Sequence, residues 1–243
     1  MNELIQYPGL LDDDFDEDPC ASIEDERFDQ IYPSKVQELS WRHWTPVAVA
    51  VEAAKLLVTR PQTRVLDVGC GPGKFCLVAA ELQDARFTGI EQRRDLVAIA
   101  RRAVLKHRLT NVEIIHGNVT DFAFAAYDAF YLFNPFEENM FRRQKIDSSV
   151  PLSKALFKKY TSYVAVQLGN RPAGTRVVTY AGYADEIPAC YDCTEALFGD
   201  DLKLWIKTRD YAPENERFGL GVSRSLRGKS GWYSPRNLNS CFA

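Results

Sequence analysis

Three glycines stand at alternate positions, Gly69, Gly71 and Gly73, directly behind the apolar run Val65–Val68. Asp67 lies inside that run, and Glu91 follows Gly71 by 20 residues. Glycine reaches positive φ without strain and lets the backbone come close to a ligand. A strand that turns through such residues into a helix presents free N–H groups, which favour a carboxylate or phosphate. The spacing is G-x-G-x-G, not the G-x-G-x-x-G of dinucleotide binders. Asp67 just before the turn repels a pyrophosphate and welcomes a cation. Glu91 is placed to accept from two ribose hydroxyls. A ligand with an amine, a carboxylate, a positive sulfur and an adenosine ribose meets all of these demands.

A second constellation is Phe133-Asn134-Pro135-Phe136. An amine that attacks a methyl carbon must point its lone pair in line with the bond being broken. An Asn side-chain oxygen and a nearby backbone carbonyl accept its N–H bonds. An aromatic ring stacks on the amine or on a cationic methylsulfonium. Orientation of this kind supplies roughly 7–11 kcal/mol of a barrier. Asn134, Pro135 and Phe136 are therefore the candidate catalytic residues. Asn-Pro followed by an aromatic also simply turns a chain.

Weaker candidates surround these. Trp41, Arg42, His43 and Trp44 precede the glycine segment and either cover the ligand or anchor a helix start. Cys190 and Cys193 form a single C-x-x-C with no second pair or spaced His, so no metal site is expected. His107 and His116 read as structural or exposed.

These residues need a scaffold to hold them. Thr45-Pro46 opens a helix to about Val58, with Thr45 as the N-cap. "RVLDVG", "ARFTGIE", "NVEIIHG", "AYDAFYLFNPF", "TRVVTYAG" and "LKLWIKT" read as strands. "KFCLVAAEL", "RDLVAIARRAVLKHRL" and residues 153–168 read as helices between them, with a further short helix near Tyr191 to Leu197. Alternation of this kind gives an α/β, doubly wound, mostly parallel sheet. Its ligands sit beyond the carboxyl ends of the strands.

"VLDVGCGPGKF", "FTGIE", "HGNVTDF" and "YLFNPF", in that order, resemble the motifs of class I S-adenosylmethionine-dependent methyltransferases. The resemblance spans roughly residues 43–207. It implies S-adenosyl-L-methionine as cofactor, with Asp67, Gly69 and Gly71 at the methionine end, Glu91 on the ribose and Asn118 and Val119 at the adenine. Cys70, Gly73, Gln92 and Asn134 complete the cofactor-binding set that it implies. "FNPF" resembles the Asn-Pro-Pro-aromatic signature of nitrogen methyltransferases with one proline missing. The expected function is methyl transfer to a nitrogen of an RNA, a protein side chain or a small amine. The alternative is a methyltransferase-fold protein that binds nucleic acid or a partner without catalysis.

Composition bounds the rest. The 243 residues are 46% hydrophobic and 26% charged, which suits one large globular domain with extensions. Residues 1–26 hold ten acidic side chains and no Lys or Arg, whereas the segment from Arg217 onward is basic. We expect a flexible acidic extension over 1–30, a methyltransferase domain over 31–212 and a flexible basic extension over 213–243. No basic n-region or long apolar run marks a signal peptide or a membrane span. Six cysteines without such a signal suggest reduced thiols in a cytoplasm. Nothing in the sequence sets an oligomeric state.

Overall fold

A computed structural model describes residues 21–140, 145–182 and 184–212. The strands are β1 (Thr63–Val68), β2 (Ala85–Glu91), β3 (Val112–His116), β4 (Ala129–Phe133), β5 (Arg176–Tyr180), β6 (Tyr191–Leu197) and β7 (Leu202–Lys207). They form one sheet in the order β3-β2-β1-β4-β5-β7-β6. Strands β1 to β5 pair in parallel, whereas β7 runs antiparallel to both β5 and β6. This is the expected doubly wound α/β sheet, in the class I methyltransferase arrangement.

Each central strand is apolar on both faces because helices cover both. On one face, Val65, Tyr131 and Val178 pack against α4 (Val47–Leu57), α5 (Lys74–Leu82) and α6 (Arg94–Lys106). On the other, Leu66, Phe130, Leu132 and Val177 pack against α7 (Lys154–Gly169). Ser153 caps α7, its hydroxyl accepting from Leu156 N–H at 3.1 Å.

Two local expectations are corrected. Residues 191–197 form an edge strand, not a helix. The helix-like Glu-Ala-Leu ending is overridden by pairing with β7 after a turn in which Phe198, Gly199 and Asp200 all have positive φ. A bulge at Cys193/Glu195 and near-complete exposure of the strand blur its alternation. Thr45 is not the cap of α4 either. Its hydroxyl bonds the buried Tyr131 hydroxyl at 3.0 Å, and Asp25 accepts from Val47 N–H at 3.0 Å instead.

That cap comes from α1 (Ala21–Asp29), which the sequence reading leaves inside the acidic extension. Residues 1–20 and the basic segment 213–243 lie outside the described residues. Helix α1 is ordered by one cation. Lys74, the first residue of α5, is 1% exposed and pairs with Asp25 at 2.6 Å and Asp29 at 2.8 Å. Its ammonium also donates to Ser40 at 3.2 Å, in α3 (Ser40–His43), which follows α2 (Ser34–Gln37), and lies 5.5 Å from the Phe28 ring centre. A cation at a helix N-terminus opposes the helix dipole, so this burial depends on the two carboxylates.

Replacing Lys74 with Met should therefore leave two carboxylates facing each other and destabilise the fold by about 3–5 kcal/mol. Urea unfolding measures this, and an unchanged midpoint would mean that α1 is not held by Lys74.

Candidate active site

The carboxyl ends of β1, β2 and β4 open into a cleft of about 860 Å³, counted out to its open mouth. Gly69, Gly71, Glu91, Gln92, Asn118, Val119, Asn134, Pro135 and Phe136 all line it. The glycine turn doubles back over β2, with Gly69 and Cys70 N–H both donating to Ile90 O at 2.9 and 3.0 Å. Gly69 has φ +78°, and a β-carbon there would lie 2.8 Å from Pro135 Cβ. At Gly71, with φ +56°, a β-carbon would lie 2.7 Å from the Trp44 ring. Gly73 instead faces Ala100 in the α5–α6 contact, and Cys70 turns its thiol toward Gly89, both off the main cleft.

Glu91 is 6% exposed. Its Oε2 accepts from Gly71 N–H at 3.2 Å and its Oε1 from Arg93 N–H at 2.7 Å. Burial pushes its carboxyl up from the usual range, and those two donors with the Arg93 charge pull it back. Arg93 is itself buried. Its guanidinium holds Glu138 at 2.8 Å and Asp147 at 3.2 Å, which ties the segment after β4 across the cleft. The neighbouring Gln92 accepts at its backbone carbonyl from, or faces, exposed His116 Nε2 at 3.1 Å.

At one end of the cleft Asn118 Oδ1 accepts from Thr120 N–H and hydroxyl, both at 3.0 Å. Its amide donates to Tyr160 Oη at 2.9 Å. Phe136 packs on Tyr160 with ring centres 5.4 Å apart, so this aromatic belongs to the Asn118–Val119 end. At the opposite end Asn134 sits at φ +42° beside Gly182, with Phe133 and Tyr180 rings 4.9 Å apart. Glu137 lines that end, and its backbone N–H donates to Asn134 O at 3.3 Å.

The Trp-Arg-His-Trp stretch divides in two. Trp44 is 5% exposed, donates from Nε1 to Val36 O at 2.8 Å and roofs Gly71. Trp41 is 78% exposed, with the Arg42 guanidinium 5.4 Å from its ring centre. His43 lines the cleft and is held neutral at pH 7, pushed down to about 4 by burial and by Arg42 and Arg93.

Asp67 lies beneath the glycine turn, on a smaller pocket lined also by His43, Thr45 and Lys74. Its carboxyl is pushed up to about 8 by burial, the Glu91 charge adding to this, while the Cys76 thiol donates to it at 3.5 Å. Among the described residues Asp67 makes no ion pair. Among them, too, no cluster of His, Cys, Asp or Glu could hold a metal, and Cys190 is buried whereas Cys193 is exposed.

The family described as "Methyltransferase domain" matches residues 59–192, more than half of the chain. The chain belongs to this family. A demethylmenaquinone methyltransferase of Listeria monocytogenes is 33% identical over 75 residues, 30% of this chain and 32% of that protein. A 23S rRNA (uracil(1939)-C(5))-methyltransferase of a Shewanella strain is 34% identical over 73 residues, 30% of this chain and 16% of that protein. The chain thus matches about a third or less of these relatives' length. The crystal structure of an RNA methyltransferase from Salinibacter ruber, in complex with S-adenosyl-L-homocysteine, superposes with a TM-score of 0.53. It is 23% identical, with 71% of this chain and 97% of that one covered, and shows the shared fold.

The residues fit S-adenosyl-L-methionine, the group the sequence reading implies. An ionised carboxylate offers about four acceptor positions, and Glu91 uses two on backbone N–H groups. Two remain for ribose hydroxyls. Asp67 is a buried acid without a cation, suited to an ammonium. The absent side chains of Gly69 and Gly71 let Pro135 and the Trp44 ring close on the turn, both beside the cleft. Arg93, Tyr160 and Glu137 also line the cleft, and the sequence does not single them out. For Glu137 a signal existed, since Asn-Pro-x-Glu reads as a turn that joins its first and fourth residues.

Glu91→Ala should weaken S-adenosylmethionine binding about tenfold or more; unchanged affinity by calorimetry would remove Glu91 from the site. Asp67 gives a pH signature. Its folded pKa of about 8 exceeds the usual 3.8, so its contribution is full at low pH and is lost as pH rises between those values. The slope is at most about 1.4 kcal/mol per pH unit. Asp67→Asn should flatten that decline in urea unfolding measured at pH 5 and at pH 7.5.

Proposed function

We propose that the protein is an S-adenosylmethionine-dependent methyltransferase that acts on a nitrogen. Asn134 carries the nitrogen reading. It is a non-glycine residue at φ +42°, a conformation kept where surrounding structure over-determines it. It presents a carboxamide at the end of the cleft opposite Asn118. A cleft faced by Gly69, Gly71 and Glu91 together supports catalysis over a purely binding role. The named relatives act on a quinone precursor and on a uracil carbon, and their short matches do not carry an acceptor over to this chain.

When bound, S-adenosylmethionine supplies an electrophilic methyl group. Glu91 would hold the ribose hydroxyls, and Asp67, beneath the glycine turn, would offset the ammonium charge. Trp44 and the Arg93-tied segment keep water from the reacting end. Asn134 Oδ1 accepts an N–H of the acceptor and so aims its lone pair. The cysteine usage of the sequence supports a reducing, cytoplasmic setting.

The decisive experiment incubates the protein with labelled cofactor and a cell extract, then separates RNA, protein and small-amine fractions. Label on nitrogen supports the proposal, and label on carbon or oxygen overturns it. Asn134→Ala should lower kcat about tenfold or more while leaving cofactor affinity nearly unchanged, because its contact strengthens in the transition state. Full turnover in that variant would remove the nitrogen reading.

A further inference from the structure

Helix α6 carries a charge for which neither the core nor the cofactor site has a use. Its buried stripe, Leu96, Val97, Ala100 and Ala103, faces inward. The opposite arc holds Arg94, Arg101, Arg102 and Lys106, all exposed, and one acid, Asp95. At 3.6 residues per turn these cations share about 140° of the helix and run along about 18 Å of it. Among the described residues none of them enters an ion pair. Arg101 is steadied from behind, its Nε donating to Ile114 O at 2.8 Å. Arg102 and Lys106 stand four residues apart, where like charges weaken a helix rather than support it.

This basic face starts at the cleft. Gln92 and Arg93 line the cleft, and Arg94 is the next residue and the first of α6. Arg42 lines the same cleft, and its guanidinium lies 5.4 Å from the Trp41 ring centre. Trp41 is 78% exposed, although tryptophan is highly buried on average, as Trp44 is here. Leu39 and Trp44 share one apolar cluster with Leu96 and Ile99, which seats the segment that carries Trp41 against α6. A row of cations and an exposed flat ring thus meet beside one cleft.

We propose that this surface docks a single-stranded stretch of RNA: the α6 face holds its phosphates, Trp41 stacks one base, and a neighbouring nucleotide enters the cleft as the methyl acceptor. A polyanion answers the cations, and bases answer the ring, so one ligand meets both observations. Loops of RNA leave bases unpaired, and such bases stack on aromatic rings and arginine planes. A duplex keeps its bases inside and offers Trp41 none. The inference rests on the methyltransferase reading above and names its acceptor class. The transfer is unchanged: the nitrogen lone pair forms the N–C bond, the C–S bonding pair returns to sulfur, and one N–H proton leaves to solvent.

The test measures binding of the full chain to a short, fluorescein-labelled, single-stranded RNA of mixed sequence, by anisotropy across about 50 to 200 mM salt. The logarithm of the binding constant should fall against that of the salt concentration with a slope of about −3, at about 0.7 for each phosphate neutralised. Arg102→Gln combined with Lys106→Gln should make that slope shallower by about 1.4. Trp41→Ala should weaken binding about fivefold or more and leave the slope in place, and Trp41→Phe should recover most of the loss. Cofactor affinity by calorimetry should be unchanged in every variant, because none of these side chains lines the cleft. A slope that the double variant leaves unmoved overturns the proposal, and so does a Trp41→Ala affinity equal to the parent's. Duplex RNA or polyglutamate bound as tightly as the single strand overturns it too. The labelled cell extract tests the source: label in the RNA fraction supports RNA, and label confined to DNA, protein or small amines overturns it. Label on a carbon of RNA would leave this proposal standing and remove the nitrogen reading. Label on a nitrogen outside RNA would do the reverse.

Discussion

The buried ammonium of Lys74 is the constraint on which the site's architecture turns. A lysine at the start of a helix, 1% exposed, is tolerable only beside opposite charge, and Asp25 and Asp29 supply it. Asp25 then has a second duty, because it also caps α4. One pair of carboxylates therefore fixes α1 against both α4 and α5. The chain between α1 and α4 is carried into place with them, and it delivers Trp44 onto Gly71. The glycine turn thus has a roof because of an ion pair on its far side.

Within the cleft, polar groups are used with little slack. Glu91 is shared between Gly71 and Arg93, and Arg93 between the backbone of α6 and the acids Glu138 and Asp147. Asn118 is spent on Thr120 and Tyr160. Glu91, Arg93 and Asn118 are thus each oriented by groups beside them. Such oriented groups lower the reorganisation needed at the moment of reaction.

The central half of this arrangement was legible in the sequence. Gly69, Gly71 and Glu91 have few structural substitutes, and the apolar periods around them fix strand and helix alike. Contacts formed by long-range packing were not legible. Nothing local to Lys74 says that its partners lie 45 and 49 residues earlier, and α1 reads as solvated acid for that reason. Thr45-Pro46 carries a good capping signal, yet Tyr131 in the core competes for the hydroxyl. Strand β6 was missed because an edge strand exposed along most of its length shows no alternation. The sequence offers Phe136 as a stacking surface beside Asn134, whereas in the fold its ring packs on Tyr160, which bonds Asn118.

The hydrogen bond from Arg176 Nε to the carbonyl of Leu56, 2.6 Å long and spanning 120 residues, bears on how the chain is made. Helix α4 leaves the ribosome well before β5, with Val47, Ala50, Val51 and Ala54 on faces that end up buried. Its last turn lacks this partner until β5 has been synthesised. Closing a loop of that length costs chain entropy that only the assembled sheet repays. Over those 120 residues of synthesis the nascent chain carries an apolar helix waiting for its sheet. Synthesis that stalls within that span leaves a segment for chaperones to shield rather than a domain that folds by halves.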